Sequence, residues 1–159
     1  MVLTVTLNPA VDKTISVNDF KINTVNRLDY KQKDAGGKGI NVSKVLKELN
    51  IESIATGFLG GESGHFIKNY LKKIDVKDEF INIGESTREN IKIVDNKNKL
   101  FTDINDPGPL IKEKDLNELK LRIDKLTKMN EIVVFAGSVP KGVSDEIYNE
   151  LISIAKEND

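Results

Sequence analysis

Short apolar runs alternate along this chain with stretches whose apolar residues recur at helical spacing, and no other feature restricts its fold as much. Val2 to Leu7 is rich in β-branched residues and stops at Asn8-Pro9, which predicts a strand and then a turn. Ser53 to Thr56 reads as a second strand closed by Gly57. Ile132 to Phe135 is apolar on both faces, as a central parallel strand is. Between these lie helical patterns. Val42, Val45, Leu46 and Leu49 form one expected buried stripe, and Phe66, Ile67, Tyr70, Leu71 and Ile74 a second. Leu116, Leu119, Ile123 and Leu126 form a third, with Asp115 and Glu118 at capping-box spacing. Ile147, Tyr148, Leu151, Ile152 and Ala155 form the last, capped by Ser144 and running to the chain's stop at Asp159. Strands joined through single helices imply right-handed crossovers on a mostly parallel sheet with helices on both faces, an α/β architecture.

Several segments do not belong in such a sheet. Lys13 to Val17 alternates polar and apolar residues, and Asp29 to Lys33 is a weaker extended candidate able to pair with it. Ile91 to Val94 and Leu100 to Ile104 flank the turn-prone Asp95-Asn96-Lys97-Asn98, which predicts a hairpin. These strands, within about 13–33 and 91–104, are expected to form a smaller β layer at the rim of the main sheet.

Composition narrows the chemistry. The 24 Lys and Arg nearly cancel the 25 Asp and Glu, so no domain-wide basic field exists to hold nucleic acid or an anionic membrane. Any anion site must be local. With no cysteine and a single histidine, His65, the chain has no thiol nucleophile and cannot assemble a zinc-thiolate or multi-histidine centre. No apolar stretch approaches the length of a spanning helix and no basic segment precedes Val2, so a cytoplasmic location is the default expectation.

The sharpest local feature is Ala35-Gly36-Gly37-Lys38-Gly39-Ile40-Asn41 at an expected helix entrance. Free amides and the positive end of the helix dipole attract anions there, glycines let a ligand approach the backbone, and Lys38 adds a charge. It is not a Walker A loop, because Gln32 stands where the first glycine belongs and Gly39 follows the lysine. Val42 likewise breaks the dinucleotide fingerprint. A tight turn bearing a solvated lysine is the alternative. Asp12 falls at the C-terminal edge of the first strand, where open α/β sheets bind ligands and a carboxylate could accept bonds from sugar hydroxyls; a plain turn residue is the other reading. Only three arginines occur, at 27, 88 and 122. Arg122 reads as a solvated helix residue. Arg27 and Arg88 fall in the rim layer, where a planar guanidinium suits phosphate, with surface solubility as the alternative. Ser138 follows the most apolar strand and should reach the same crevice, without a partner that would make it a nucleophile.

These residues resemble the 1-phosphofructokinase and tagatose-6-phosphate kinase branch of the ribokinase-like, or pfkB, carbohydrate kinases. The likeness runs through Thr4 to Pro9, Asp34 to Ser43, Gly57 to Gly60, Asn105 to Pro109 and Gly137 to Pro140. Asn50 departs from the small residue usual after the first helix, but asparagine tolerates the left-handed turn. The resemblance implies a three-layer sandwich with a β-sheet lid, and transfer of the γ-phosphoryl of ATP, with Mg2+, to a sugar phosphate. It implies that Asp12 binds sugar hydroxyls and that Gly36, Gly37, Lys38 and Asn41 cradle the substrate. It further implies that Arg88 and Ser138 help hold the substrate, and that Arg27 contacts it near a subunit boundary. A homodimer through the lid is expected.

The family's Gly-Ala-Gly-Asp segment, which supplies the catalytic base and an anion hole, does not occur in these 159 residues. The chain is therefore expected to be the N-terminal portion of one kinase domain, with base and ATP site beyond Asp159 and no turnover on its own. Fructose 1-phosphate is the favoured substrate and tagatose 6-phosphate the alternative. A non-catalytic phosphate-binding α/β module is the reading from another class, and a flavodoxin-like or dinucleotide fold a third, weakened by the missing fingerprint.

Overall fold

The computed structural model describes residues 1–129 and 131–157. In chain order its elements are β1 (Val2–Thr6), β2 (Ala10–Val17), β3 (Tyr30–Gly36), α1 (Lys38–Glu48), β4 (Ser53–Leu59), α2 (Gly61–Lys73), β5 (Lys77–Asp78), β6 (Ile81–Asn82), β7 (Arg88–Asp95), β8 (Leu100–Ile104), α3 (Glu113–Thr127), β9 (Ile132–Phe135) and α4 (Ile147–Lys156). The expected stop of the last helix at Asp159 lies outside the described residues.

β1 sits between β4 and β9, and the short β5 and β6 pair with β4 on its far side. Every pairing in this five-stranded sheet is parallel. Side-chain alternation along β1 and β4 divides the interior in two. Leu3, Val5, Ile54 and Phe58 face α3 and α4 through Leu119, Ile123, Leu126, Ile147 and Leu151. Ala55 and Leu59 face the other way, onto Ile40, Ile67 and Leu71 of α1 and α2. The result is the expected α/β fold with helices on both faces of a parallel sheet. β9 differs from its reading as a central strand. Among the described residues it pairs only with β1, and Ile132 is 56% exposed.

The stripe expected on α1 is corrected. Gly39, Ile40 and Ser43 are its buried residues, while Val45 and Leu49 are 54% and 62% exposed. The helix lies close against β1, with Thr4 Oγ1 and Ser43 Oγ 2.6 Å apart. Gly39 and Ser43 permit that approach with Ile40 beside them, and Val45 and Leu49 are turned outward. Asn50 takes the left-handed conformation (φ 58°) and ends α1 with Ile51 N–H bonded to Leu46 O, as expected of this residue.

Two caps also differ. α3 begins after Lys112, which donates no side-chain cap, and Asp115 lies inside the first turn. The chain is pinned just before it, where Ile111 N–H bonds Lys141 O, so the helix starts ahead of the Asp115–Glu118 pair. Ser144 instead stabilises a turn that leads into α4: its Oγ accepts from Glu146 N–H, and Glu146 is the residue at the helix boundary. Ile152, expected inside, is 38% exposed.

The second sheet has the order β3-β2-β7-β8, with β2 and β7 parallel and the outer pairs antiparallel. It contains the polar-faced strands read from the sequence, with wider bounds. The chain bends at Leu7 and Asn8, as the Asn8-Pro9 punctuation predicts, and β2 begins immediately after Pro9, at Ala10. β3 likewise continues to Gly36, leaving one residue, Gly37, between strand and helix where a longer loop was expected.

Candidate functional site

The C-terminal end of β1 opens into a cavity of about 390 Å³. Asn8, Asp12, Gly37, Lys38, Asn41, Arg88, Asn90 and Ser138 are among its lining residues. Six of the eight residues expected to bind substrate therefore share one hollow. Gly36 stands at its edge, and a Cβ there would fall on the Asp12 carboxylate. Arg27 is placed elsewhere, exposed in the connection between β2 and β3.

The register of the second sheet positions the carboxylate. Asp12 on β2 lies opposite Asp34 on β3 and Asn90 on β7. Asn90 Nδ2 donates to Asp12 Oδ1 at 2.9 Å, so one carboxylate oxygen is occupied and its partner oxygen remains for a ligand. A second hollow of about 370 Å³ continues past Asp12 and Asn90 along the same sheet face to Asp103 and Asn105.

The opposite wall is the start of α1. Gly37 holds φ 123°, a conformation that favours glycine, and an added Cβ would meet Thr6 Cγ2 at 2.8 Å. No side chain caps this helix and its first turn contains no acid. Its unpaired amides and positive dipole end face the cavity beside Lys38, an arrangement that attracts anions. Behind it, Lys44 Nζ donates to Ala35 O and lies over the Tyr70 ring, tying the β3–α1 corner. Burial pulls the Lys44 ammonium below its ordinary pKa, with Asp34 and Asp12 opposing.

Arg88 closes the site from β7. Its Nη1 donates to Asp106 O at 2.9 Å and its Nη2 to Asn8 O at 3.0 Å and Ser138 Oγ at 3.4 Å. Nε is buried without a partner, and no carboxylate among the described residues forms an ion pair with the guanidinium. Burial lowers its pKa while Asp12 and Asp106 oppose the shift, but a guanidinium stays protonated regardless. An ordered cation with carboxylates nearby but none bonded to it can accept a phosphate or carboxylate directly.

Sequence reasoning missed Asn8 and Asn90. In the sequence Asn8 stands out as turn punctuation and as part of the Thr4–Pro9 motif, with no site role, yet its Nδ2 reaches both Pro107 O and Ser138 Oγ. Asn90 lies two residues beyond Arg88 on an alternating strand, a spacing that places both on one face and could have revealed it. His65 is solvent-facing on α2, with Nδ1 2.9 Å from Gly61 O in the same helix.

Residues 5–159 match the pfkB family of carbohydrate kinases, and the chain belongs to that family. It is 40% identical over 157 residues to tagatose-6-phosphate kinase from Staphylococcus epidermidis, and 38% identical over 157 residues to 1-phosphofructokinase from Bacillus subtilis. In each case the match covers 99% of this chain and 50% of the relative, so the chain spans about half the length of the curated relatives it matches. A crystal structure of a possible 1-phosphofructokinase from Thermotoga maritima superposes with a TM-score of 0.90 at 44% identity, over 99% of this chain and 51% of that one. Phosphofructokinase-2 from Escherichia coli superposes at 0.91 with 23% identity, over 99% of this chain and 51% of that one, and shares the fold.

Proposed function

We propose that this chain supplies the sugar-phosphate site and lid of an ATP-dependent sugar-phosphate kinase, and that its substrate is fructose 1-phosphate. The observation that carries the reading is the single cavity lined by Asp12, Lys38 and Arg88. The free Asp12 oxygen accepts sugar hydroxyls, while the α1 amides, Lys38, Arg88 and Ser138 hold anionic oxygens. Such a site binds and orients its substrate, and orientation is a large part of what phosphoryl transfer requires.

ATP and Mg2+ belong to this proposal as co-substrate and ion. No group of three His, Cys, Asp or Glu side chains suited to a metal occurs among the described residues. Base and nucleotide contacts are assigned to sequence outside these 159 residues, and the chain alone is expected to bind sugar without turnover. The second sheet serves as the lid and as a homodimer surface, for which the exposed Tyr30, Leu100, Phe101 and Ile104 give apolar area. Arg27 then acts at the subunit boundary. Tagatose 6-phosphate is the second reading, favoured by the 40% identity to the staphylococcal enzyme.

Calorimetric titration of the chain with both sugar phosphates tests the assignment. Tighter binding of fructose 1-phosphate is expected, a preference for tagatose 6-phosphate selects the second reading, and binding of neither rejects both. ADP release on adding ATP and either sugar would refute the proposed lack of turnover.

A further inference from the structure

Asn8 is 4% exposed at the end of β1, where three loops meet. Its Nδ2 donates to Pro107 O at 3.0 Å and to Ser138 Oγ at 3.3 Å, and its backbone carbonyl accepts Arg88 Nη2 at 3.0 Å. The Pro107 carbonyl can only accept, which fixes the amide nitrogen on that side. Arg88 Nη2 also reaches Ser138 Oγ at 3.4 Å. Neither an amide NH2 nor a guanidinium has a lone pair to offer, so both must donate to the serine. A hydroxyl has two acceptor positions and one proton. With both positions filled, the Ser138 proton can only be given away, and Ser138 lines the cavity.

We propose that Asn8 is a positioning residue that, together with Arg88, makes the Ser138 hydroxyl a dedicated donor to an anionic oxygen of the bound sugar phosphate. The inference rests on the sugar-phosphate reading above and deepens it. Asn8 lines the same cavity, but its amide nitrogen is committed to Pro107 O and Ser138 Oγ. It acts by setting the polarity of Ser138, and by holding the Asp106–Pro109 loop on which Arg88 also leans.

The test is a double-substitution cycle on the full 159-residue chain, read by calorimetric titration with fructose 1-phosphate and tagatose 6-phosphate, with folding checked by circular dichroism. Ser138→Ala is expected to weaken the preferred sugar phosphate about tenfold, the scale of one bond to a charged group. Asn8→Ala should weaken it similarly, and the double variant no more than Ser138→Ala alone. Asn8→Asp adds a readout that a scaffold role would not move. Its carboxylate accepts the hydrogen bond of the Ser138 hydroxyl, diverting that donor from the ligand, and repels the ligand, so affinity falls below that of Asn8→Ala at pH 8, and the deficit relative to wild type shrinks toward pH 5. If one Asn8 variant fails to fold, the other carries the test. Losses that multiply in the double variant, a silent Ser138→Ala, or a pH-independent Asn8→Asp deficit would overturn the inference while leaving the sugar-phosphate site standing. If wild type binds neither sugar phosphate, the underlying reading has failed, and the inference with it.

Discussion

Asn90 donates its side-chain amide to Asp12 Oδ1 at 2.9 Å, and the two residues are register partners on adjacent parallel strands. The bond fixes the carboxylate that faces the cavity, so register in the second sheet sets the direction in which that carboxylate is presented. Asn90→Ala is expected to leave the chain folded and weaken sugar-phosphate binding about two- to tenfold, the scale of one ordinary hydrogen bond. Calorimetric titration of the variant checks this.

Gly37→Ala places a side chain at φ 123° and within 2.8 Å of Thr6 Cγ2. Strain of this kind costs about 1–3 kcal/mol. The variant should unfold at lower denaturant and lose sugar-phosphate affinity together, because the same residue joins β3 to the anion-facing start of α1. Unchanged values of both would show that the corner is not the constraint described here.

Arg88→Lys keeps the charge but cannot reproduce a planar fork bonded to Asp106 O, Asn8 O and Ser138 Oγ. An affinity loss of about ten- to a hundredfold is expected, in line with losing bonds made by a charged donor. Wild-type binding should also weaken as salt rises, since Lys38 is exposed.

Asp95 gathers the far end of the second sheet. Its carboxylate accepts from the Asn98 side chain at 2.8 Å and from the backbone amides of Asn98, Phe20 and Asp19. These bonds, led by the Asn98 side chain, hold its pKa below the usual aspartate range. A depressed folded-state pKa gives stability that is complete above the unfolded value, about 3.9, and is lost as pH falls through the folded one. Protection of the Asp19, Phe20 and Asn98 amides, taken relative to their intrinsic exchange rates at each pH, should therefore fall below about pH 4. Asp95→Asn should exchange faster at neutral pH and lack that acid response.

The parallel sheet and its covering helices were legible because their apolar periods are set by burial within each element. Phe66, Ile67, Tyr70 and Leu71 predicted α2, and the Asp95–Asn98 cluster predicted the β7–β8 hairpin. The inward face of α1 was not legible. The repeat of Val45 and Leu49 pointed one way, but close approach to β1 selected Gly39, Ile40 and Ser43. The glycine segment, Asp12, Arg88 and Ser138 stood out by residue type at strand ends. Asn8 did not, because its role depends on a partner 130 residues away that only the fold brings near, and Asn90 was signalled only by its two-residue spacing from Arg88, its partner Asp12 lying 78 residues away.

The central claim is that one cavity at the end of β1 takes a sugar phosphate between Asp12 and the start of α1. An amide-resolved NMR titration of the chain with fructose 1-phosphate tests it most directly. The account predicts saturable shifts at Asp12, Gly36 to Asn41, Arg88, Asn90 and Ser138, with little change at the opposite end of the sheet around Lys47 and Asp75. Absence of shifts, or shifts confined to that opposite end, would contradict it.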